Sequence, residues 1–388
     1  MANLPVKWFS SDQGGAPVLG DETAGDFNAL LKACLITGYN INTVLEATYD
    51  AGTDRARLTF STAHGYLKHQ VIDVSGADQG GYNGQFRVTA IGADWIEYQP
   101  DTAPATSPAT TATQIESKAA PQGEWEIVDE DVSNYHLVFR STDPAAPPHT
   151  YMVTNDGSNF GSEFGNIATV RILESYTDPV TFDQAAEEYW PASNSRSRLK
   201  DWTLIVDSQA LYFMPTYTDF DRASCLVLGA INSIRPGDAG HSIINGINGT
   251  NQDWQYNRYT MTDFASLGSN YRRQIARAYH QLPGAVDWTM HGIDGEMGMS
   301  FGYPNPASNG FFVATGKILV KESSSLRGYM PGLLQPLQTD DVYHRTIIDV
   351  LPGLDGIPVY LQKVKDNREP LSGSYNLIAF RLDDWGRA

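Results

Sequence analysis

Cysteine and charge are what this sequence has least of. Its 388 residues include two cysteines, Cys34 and Cys225, too few for a disulfide framework or a thiolate zinc site. Charged residues make up only 19%, and 45 acidic against 27 basic side chains leave a formal net charge of -18. A surface of that sign repels phosphate backbones and anionic lipid, which excludes nucleic acid and membrane surfaces as partners. No run of about 18 apolar residues is available to span a bilayer. The opening MANLPVKWFSSDQGG also lacks the basic region and apolar run of a signal peptide, so the expectation is a chain made in the cytoplasm with no membrane insertion.

Catalytic signatures are missing as well. The eight histidines form no H-E-x-x-H, and neither G-x-S-x-G, G-x-x-x-x-G-K-[ST] nor a G-x-G-x-x-G between strand and helix occurs. Asp287, His291, Asp294 and Glu296 fall within DWTMHGIDGE, but Asp294-Gly295 is a turn dipeptide and the oxygen spacing of a calcium loop is lacking. His241 and Ser242 adjoin in AGHSIING; chain neighbours rarely point at one another, so this reads as a loop. Paired carboxylates of the glycosidase kind leave no trace in spacing, and the acidic groups VDEDVS, TDFDRAS and RLDDWG read as charged turns. No catalytic residue, metal ligand or cofactor is expected.

What the sequence does have is Gly (35), Pro (21) and Tyr (20), the profile of short strands joined by many turns, in a length that suggests two or three domains. The exception comes early, in GDETAGDFNALLKACLITGYN. Phe27, Leu30, Leu31, Cys34 and Leu35 recur at i, i+3, i+4, i+7 and i+8, an amphipathic helix with Asp21 or Thr23 as cap and Gly38 as terminator. A helix of about four turns is not stable alone, so its stripe needs either the rest of this chain or a neighbouring copy.

Beyond residue 43 the period changes to two. In DRARLTFS, Ala56, Leu58 and Phe60 share one face. QVIDVS, GQFRVTAIG and DWIEYQ follow, and TATQIES alternates as a closing strand, giving a small β module over 43–120 inserted after an N-terminal segment, 1–42, that packs on the C-terminal region. From 121 to 388 strand follows strand, with hairpin signals at Asp207-Ser208 and Asp355-Gly356. One further helix is expected near 269–282, where Tyr271, Ile275, Ala278, Tyr279 and Leu282 keep helical spacing before Pro283-Gly284. The fold class is therefore mostly β, sandwich or barrel modules with a short N-terminal helix and that second helix.

Aromatic and basic residues interleave once, in WQYNRYTMTDFASLGSNYRRQIARAYHQ. Tyr and Arg are enriched at protein interfaces, so residues 252–280 are read as an intersubunit contact before packed core or a carbohydrate-binding surface. The interface candidates are Phe27, Leu31, Trp254, Tyr256, Arg258, Tyr259, Tyr271, Arg272, Arg273 and Tyr279.

The stretch VKWFSSDQGGAPVL…AGDFNALLKACLITGYN (residues 6 to 40) resembles the N-terminal segment of a group of structural proteins of tailed bacteriophages. Val6, Lys7, Trp8, Phe9, Gly15, Ala16, Pro17, Leu19, Ala33, Cys34, Leu35 and Gly38 carry the likeness, and Ser10 stands where the pattern has His. STAHGYLKHQVIDVSGADQGGYNGQFRVTAIGADWIEYQ is similar to small β-barrel modules of such proteins, likened to the FCCH domain of ubiquitin-activating enzymes, through His64-Gly65, Ser75-Gly76 and Asn83-Gly84. HLVFRSTDP and RGYMPGLLQPL look familiar from the same group. The resemblance implies a virion component of the tail tip or baseplate, assembled with copies of itself and other virion proteins, with no catalytic residues to carry over. Neck, collar or capsid decoration, binding of host surface glycan, and last a glycan hydrolase are the alternatives.

Overall fold

The computed structural model describes residues 4–19, 23–111, 114–157, 167–192, 201–217, 222–247, 271–291, 311–336, 344–365 and 375–387. These are mostly strands, and they form two hydrogen-bonded networks, one of seven strands and one of 21.

The seven strands lie between Tyr39 and Ala119, with Glu116–Ala119 pairing both Tyr39–Thr43 and Val71–Ser75. The closing strand thus starts at Glu116, inside TATQIES instead of at its first residue. Ala56, Leu58 and Phe60 turn inward together, at 0%, 0% and 3% exposure, as their alternation requires. They join Ile72, Val74, Phe86, Val88, Ile96 and Tyr98 in a core separate from the rest. Eight-residue strand Gly84–Ile91 pairs Val71–Ser75 on one side and Trp95–Tyr98 on the other, with a register shift between Val88 and Ala90. Lys7 fastens this sheet to the remaining chain, donating from Nζ to Gln85 Oε1 (2.6 Å) and to the carbonyls of Pro121 and Gln122. Arg87 does the same from the opposite direction, donating to the Leu382 carbonyl at 2.6 Å.

In the larger network the continuous apolar runs explain themselves. Strands Trp202–Val206 and Leu226–Ala230 are buried at every position, because both faces of this antiparallel sheet are covered. Phe9, Leu204, Leu211, Phe213, Leu228 and Ile244 face one core. Trp8, Ile205, Tyr212, Val227, Ile243 and Ile275 face the other, toward the C-terminal strands. The N-terminal strand Lys7–Ser10 adds to the same sheet by pairing with Trp202–Val206. Asp207 makes the next hairpin as its sequence signal predicts, its Oδ1 accepting from the backbone N–H groups of Gln209 and Ala210 at 2.8 and 2.7 Å.

The helix covers the first of those cores. An α-helix over Asp26–Lys32 runs on into a π-helical turn, Ala33–Thr37. Phe27, Leu30, Leu31, Cys34 and Leu35 are all buried, and the Phe27 ring lies 4.8 Å from Phe213. Gly38 ends the element at φ 75; a Cβ there would come within 2.5 Å of the Ala119 carbonyl oxygen. The start differs from expectation. Thr23 precedes the first turn, Asp21 lies outside the described residues, and Gly25 occupies the cap position without a side-chain bond. Asn155 supplies the cap from across the fold: its Oδ1 accepts from Phe27 N–H at 3.2 Å and its carbonyl from Gly25 N–H at 2.8 Å. Asn155→Ala is expected to cost about 0.5–2 kcal/mol, read as a lowered melting temperature, with the helix amides losing exchange protection first.

The second expected helix is a strand. Residues Tyr271–Arg277 pair with both Ser242–Ile247 and Pro283–His291. Ile275 and Ala276 are successive and both fully buried, one in each core. A strand covered on both faces shows no clean alternation, and its apolar positions then fall by coincidence on helical spacing.

Candidate functional site: a buried ionic network beside a cleft

Several of the interface candidates are placed by these elements. Phe27 and Leu31, at 0% and 1% exposure, spend their surface inside this chain. Arg273 is buried, its guanidinium 5.8 Å from the Trp288 ring centre. Tyr271 and Arg272 are placed by backbone alone, opposite Ile247 and Gly246. Tyr279 is 48% exposed. Trp254, Tyr256, Arg258 and Tyr259 lie outside the described residues, as do Asp294 and Glu296. Asp287 and His291 sit on strand Pro283–His291, and no cluster of three metal-ligating side chains occurs among the described residues.

Below Tyr279 the chain holds an arginine with no exposure at all. Arg327, on strand Ser325–Tyr329, grips Asp238 through Nε (2.8 Å) and Nη2 (2.9 Å) and reaches Glu322 through Nη1 at 2.5 Å. Ser233 Oγ at 2.7 Å and Gln281 Nε2 at 2.9 Å also donate to Asp238. The arrangement depends on Gly328, where a Cβ would fall 2.4 Å from the Asn232 carbonyl oxygen of the paired strand. Burial pushes the Asp238 carboxyl up, but the Arg327 and Ser233 hydrogen bonds outweigh it and hold the group below its ordinary range.

A second cluster adjoins the first. Ser242 Oγ lies 2.8 Å from His149 Nδ1 and 3.0 Å from the Tyr151 hydroxyl. The far side of the imidazole faces Glu174 at 4.0 Å, and Glu174 is paired with Arg277. Serine, histidine and carboxylate thus occur in a row, enclosed by the fold. Ser242 is 0% exposed, and 4.0 Å is too long for the hydrogen bond that orients a general base. His241 turns elsewhere, its Nδ1 donating to the Asp238 carbonyl. The neighbours in AGHSIING do have different partners, although Ser242 opens a strand where a loop was expected.

Burial, opposed in part by Glu174, lowers His149 to about 4. Between pH 6.5 and 4 the unfolded chain therefore binds a proton that the folded chain refuses, and stability falls as pH falls across that window. His149→Gln is expected to flatten this part of the stability curve, measured by urea unfolding at pH 7, 5.5 and 4.5.

Beside the first cluster opens a cleft of about 390 Å³, lined by Pro147, Pro148, Asn232, Arg235, Asp238 and His241 among others. Arg387, near the end of the chain, closes one side. It is fixed to Asp207 at 2.6 and 3.0 Å and to the Ala230 carbonyl at 2.8 Å. None of these residues was singled out by sequence reasoning as a partner of another except the adjoining His241 and Ser242. They are brought together from positions 145 to 387 by sheet pairing, and no local spacing announces them.

No protein-family model matches the chain, and no curated protein is found similar to it. Among solved structures it has a weak likeness to the phage phi92 endosialidase, at 12% identity and a TM-score of 0.17, over 87% of this chain and 51% of that one. The chain thus spans about half the length of that neighbour. No helix among the described residues is long and apolar enough to cross a membrane.

Proposed function

We propose that this chain is a structural component of a tailed-phage virion, at the tail tip or baseplate, which works by assembling into a symmetric oligomer with copies of itself and other virion proteins. The observation that supports this reading is the use made of the N-terminal segment. Of the residues that resemble tailed-phage structural proteins, Val6, Lys7, Trp8, Phe9, Leu19, Cys34 and Leu35 are buried, and Gly15 and Gly38 take positive φ. Strand, turn and helix of that segment are framework, so the shared pattern follows architecture instead of a reacting centre. Exposed apolar side chains add to it. Val180 at the tip of the long hairpin 167–191 is 90% exposed, Val132 72% and Ile41 70%, positions whose substitution by Asp tests which surfaces the assembly covers.

Assembly is tested by the mass of the purified chain across a dilution series. A fixed multiple of the 42.6 kDa subunit that persists to nanomolar concentration agrees with an obligate interface of about 2,000 Å² or more. A persistent monomer at high concentration argues against it. A second reading, attachment to bacterial surface glycan, is favoured by the cleft beside Tyr279.

A further inference from the structure

We propose that the cleft between residues 145–148 and 231–241 binds a carboxylate-bearing sugar, with Arg235 taking the carboxylate and His241 accepting a hydrogen bond from a neighbouring hydroxyl. The site lies within one chain, so it stands or falls separately from assembly.

The argument begins with which charges around the cleft are already matched. Asp238 is held by Arg327, Ser233 and Gln281. Arg387 is held by Asp207, the Ala230 carbonyl and Asn232 Oδ1. Arg235 has no carboxylate partner among the described residues. Its guanidinium stacks 4.6 Å from the centre of the Tyr279 ring, while Nη1 is shielded from solvent without a hydrogen-bond partner. The side chain is otherwise half-exposed and lines the cleft, so its accessible donors are the ones an incoming carboxylate meets. Stacking on an aromatic face fixes the plane of the fork, which favours a planar carboxylate.

His241 supplies the discrimination. Its Nδ1 faces the Asp238 carbonyl oxygen, which can only accept, so Nδ1 carries the hydrogen and Nε2 is an acceptor. Burial lowers its pKa and keeps the ring neutral. A donor for anions beside an acceptor for hydroxyls fits a molecule that carries the two groups on separate ring atoms; hydrogen phosphate carries both on one tetrahedral centre and has neither the planar carboxylate nor a C–H face. Pro147 and Pro148 add an apolar wall suited to the C–H face of a sugar ring, and the volume lies within the usual range of about 300–1,000 Å³ for ligand sites.

Isothermal titration of the full chain with D-glucuronate, D-galacturonate and N-acetylneuraminate tests this, with glucose, methyl glucuronate ester and inorganic phosphate as comparisons. At least one of the acids is expected to bind, with the neutral sugars and phosphate weaker by about tenfold or more. Arg235→Gln is expected to weaken that acid by a similar factor, and Arg235→Lys, which keeps the charge without the fork, by less. The proposal is overturned if none of the three acids binds the folded chain, if phosphate or the ester binds as well as the acid, or if Arg235→Gln leaves the affinity unchanged while retaining the native melting temperature. Should Arg235→Gln fail to fold, Arg235→Lys decides: an affinity equal to that of the native chain for acid and ester alike removes Arg235 from the site.

Discussion

Arg327→Leu is expected to remove about 3–5 kcal/mol of folding stability, because it strands two carboxylates that the fold has already taken out of water. Arg327 is 0% exposed, and the Asp238 side chain it holds is 1% exposed. The mechanism is distinguishable from simple loss of packing by its dependence on pH. In the native chain Asp238 is held below its ordinary value of 3.8, so its contribution is present above that value and is lost as pH falls through the lowered one. Without Arg327 the same carboxyl keeps the Ser233 and Gln281 hydrogen bonds but loses its charge partner, so burial weighs more, its pKa moves up, and protonation relieves part of the cost in the folded state. The stability gap between native chain and variant is therefore widest near pH 7 and narrows below about pH 4. Chemical unfolding at the two pH values measures it, and a gap independent of pH would mean that Arg327 acts by filling space.

Phe27→Ala is the second large effect, at about 3–5 kcal/mol for truncating a fully buried ring. Phe27 lies 4.8 Å from Phe213 and 6.2 Å from Trp190, ring centre to ring centre, so the cavity opens between the helix and the sheet beneath it. The Trp190 ring is not free to follow, since its Nε1–H donates to the Asn245 carbonyl at 2.7 Å. Amide exchange is the discriminating readout. The amides of 26–37 are expected to lose protection well before those of strands Trp202–Val206 and Leu226–Ala230. Uniform loss throughout would instead mean that helix and sheet unfold as one unit.

The N-terminal helix was legible because five apolar residues repeat at helical period next to a chain that otherwise alternates. Its cap was not, since Asn155 lies 128 residues from Phe27 and no local pattern points to it. Strands with one covered face, such as Arg55–Thr59, could be read from alternation. Tyr271–Arg277 could not, because Ile275 and Ala276 enter different cores and the surviving pattern mimics a helix. The hairpin at Asp207-Ser208 was visible because turn chemistry is local. For the ionic network and the cleft the opposite holds. His149, Glu174, Ser242 and Arg277 meet only after five or more strands have paired, and an arginine such as Arg327 looks in sequence like any surface cation. Composition points the wrong way here, because charged residues as a class favour the surface while this one is enclosed.

The same features bear on how the molecule works. Lys7 is buried, and burial lowers it to about 8, a cost accepted to tie the seven-stranded sheet to the rest of the chain. Enclosed charged and polar groups at Lys7, Arg327 and His149 fit the proposal of a fixed building block whose surface makes the contacts. Averaged electron microscopy of the intact particle examines that idea without intermediaries. The proposal requires copies of this chain in a closed symmetric arrangement at the tail tip or baseplate, their exposed apolar side chains covered by neighbours. A particle in which this chain is absent, or present as isolated copies with those surfaces open to solvent, would contradict it.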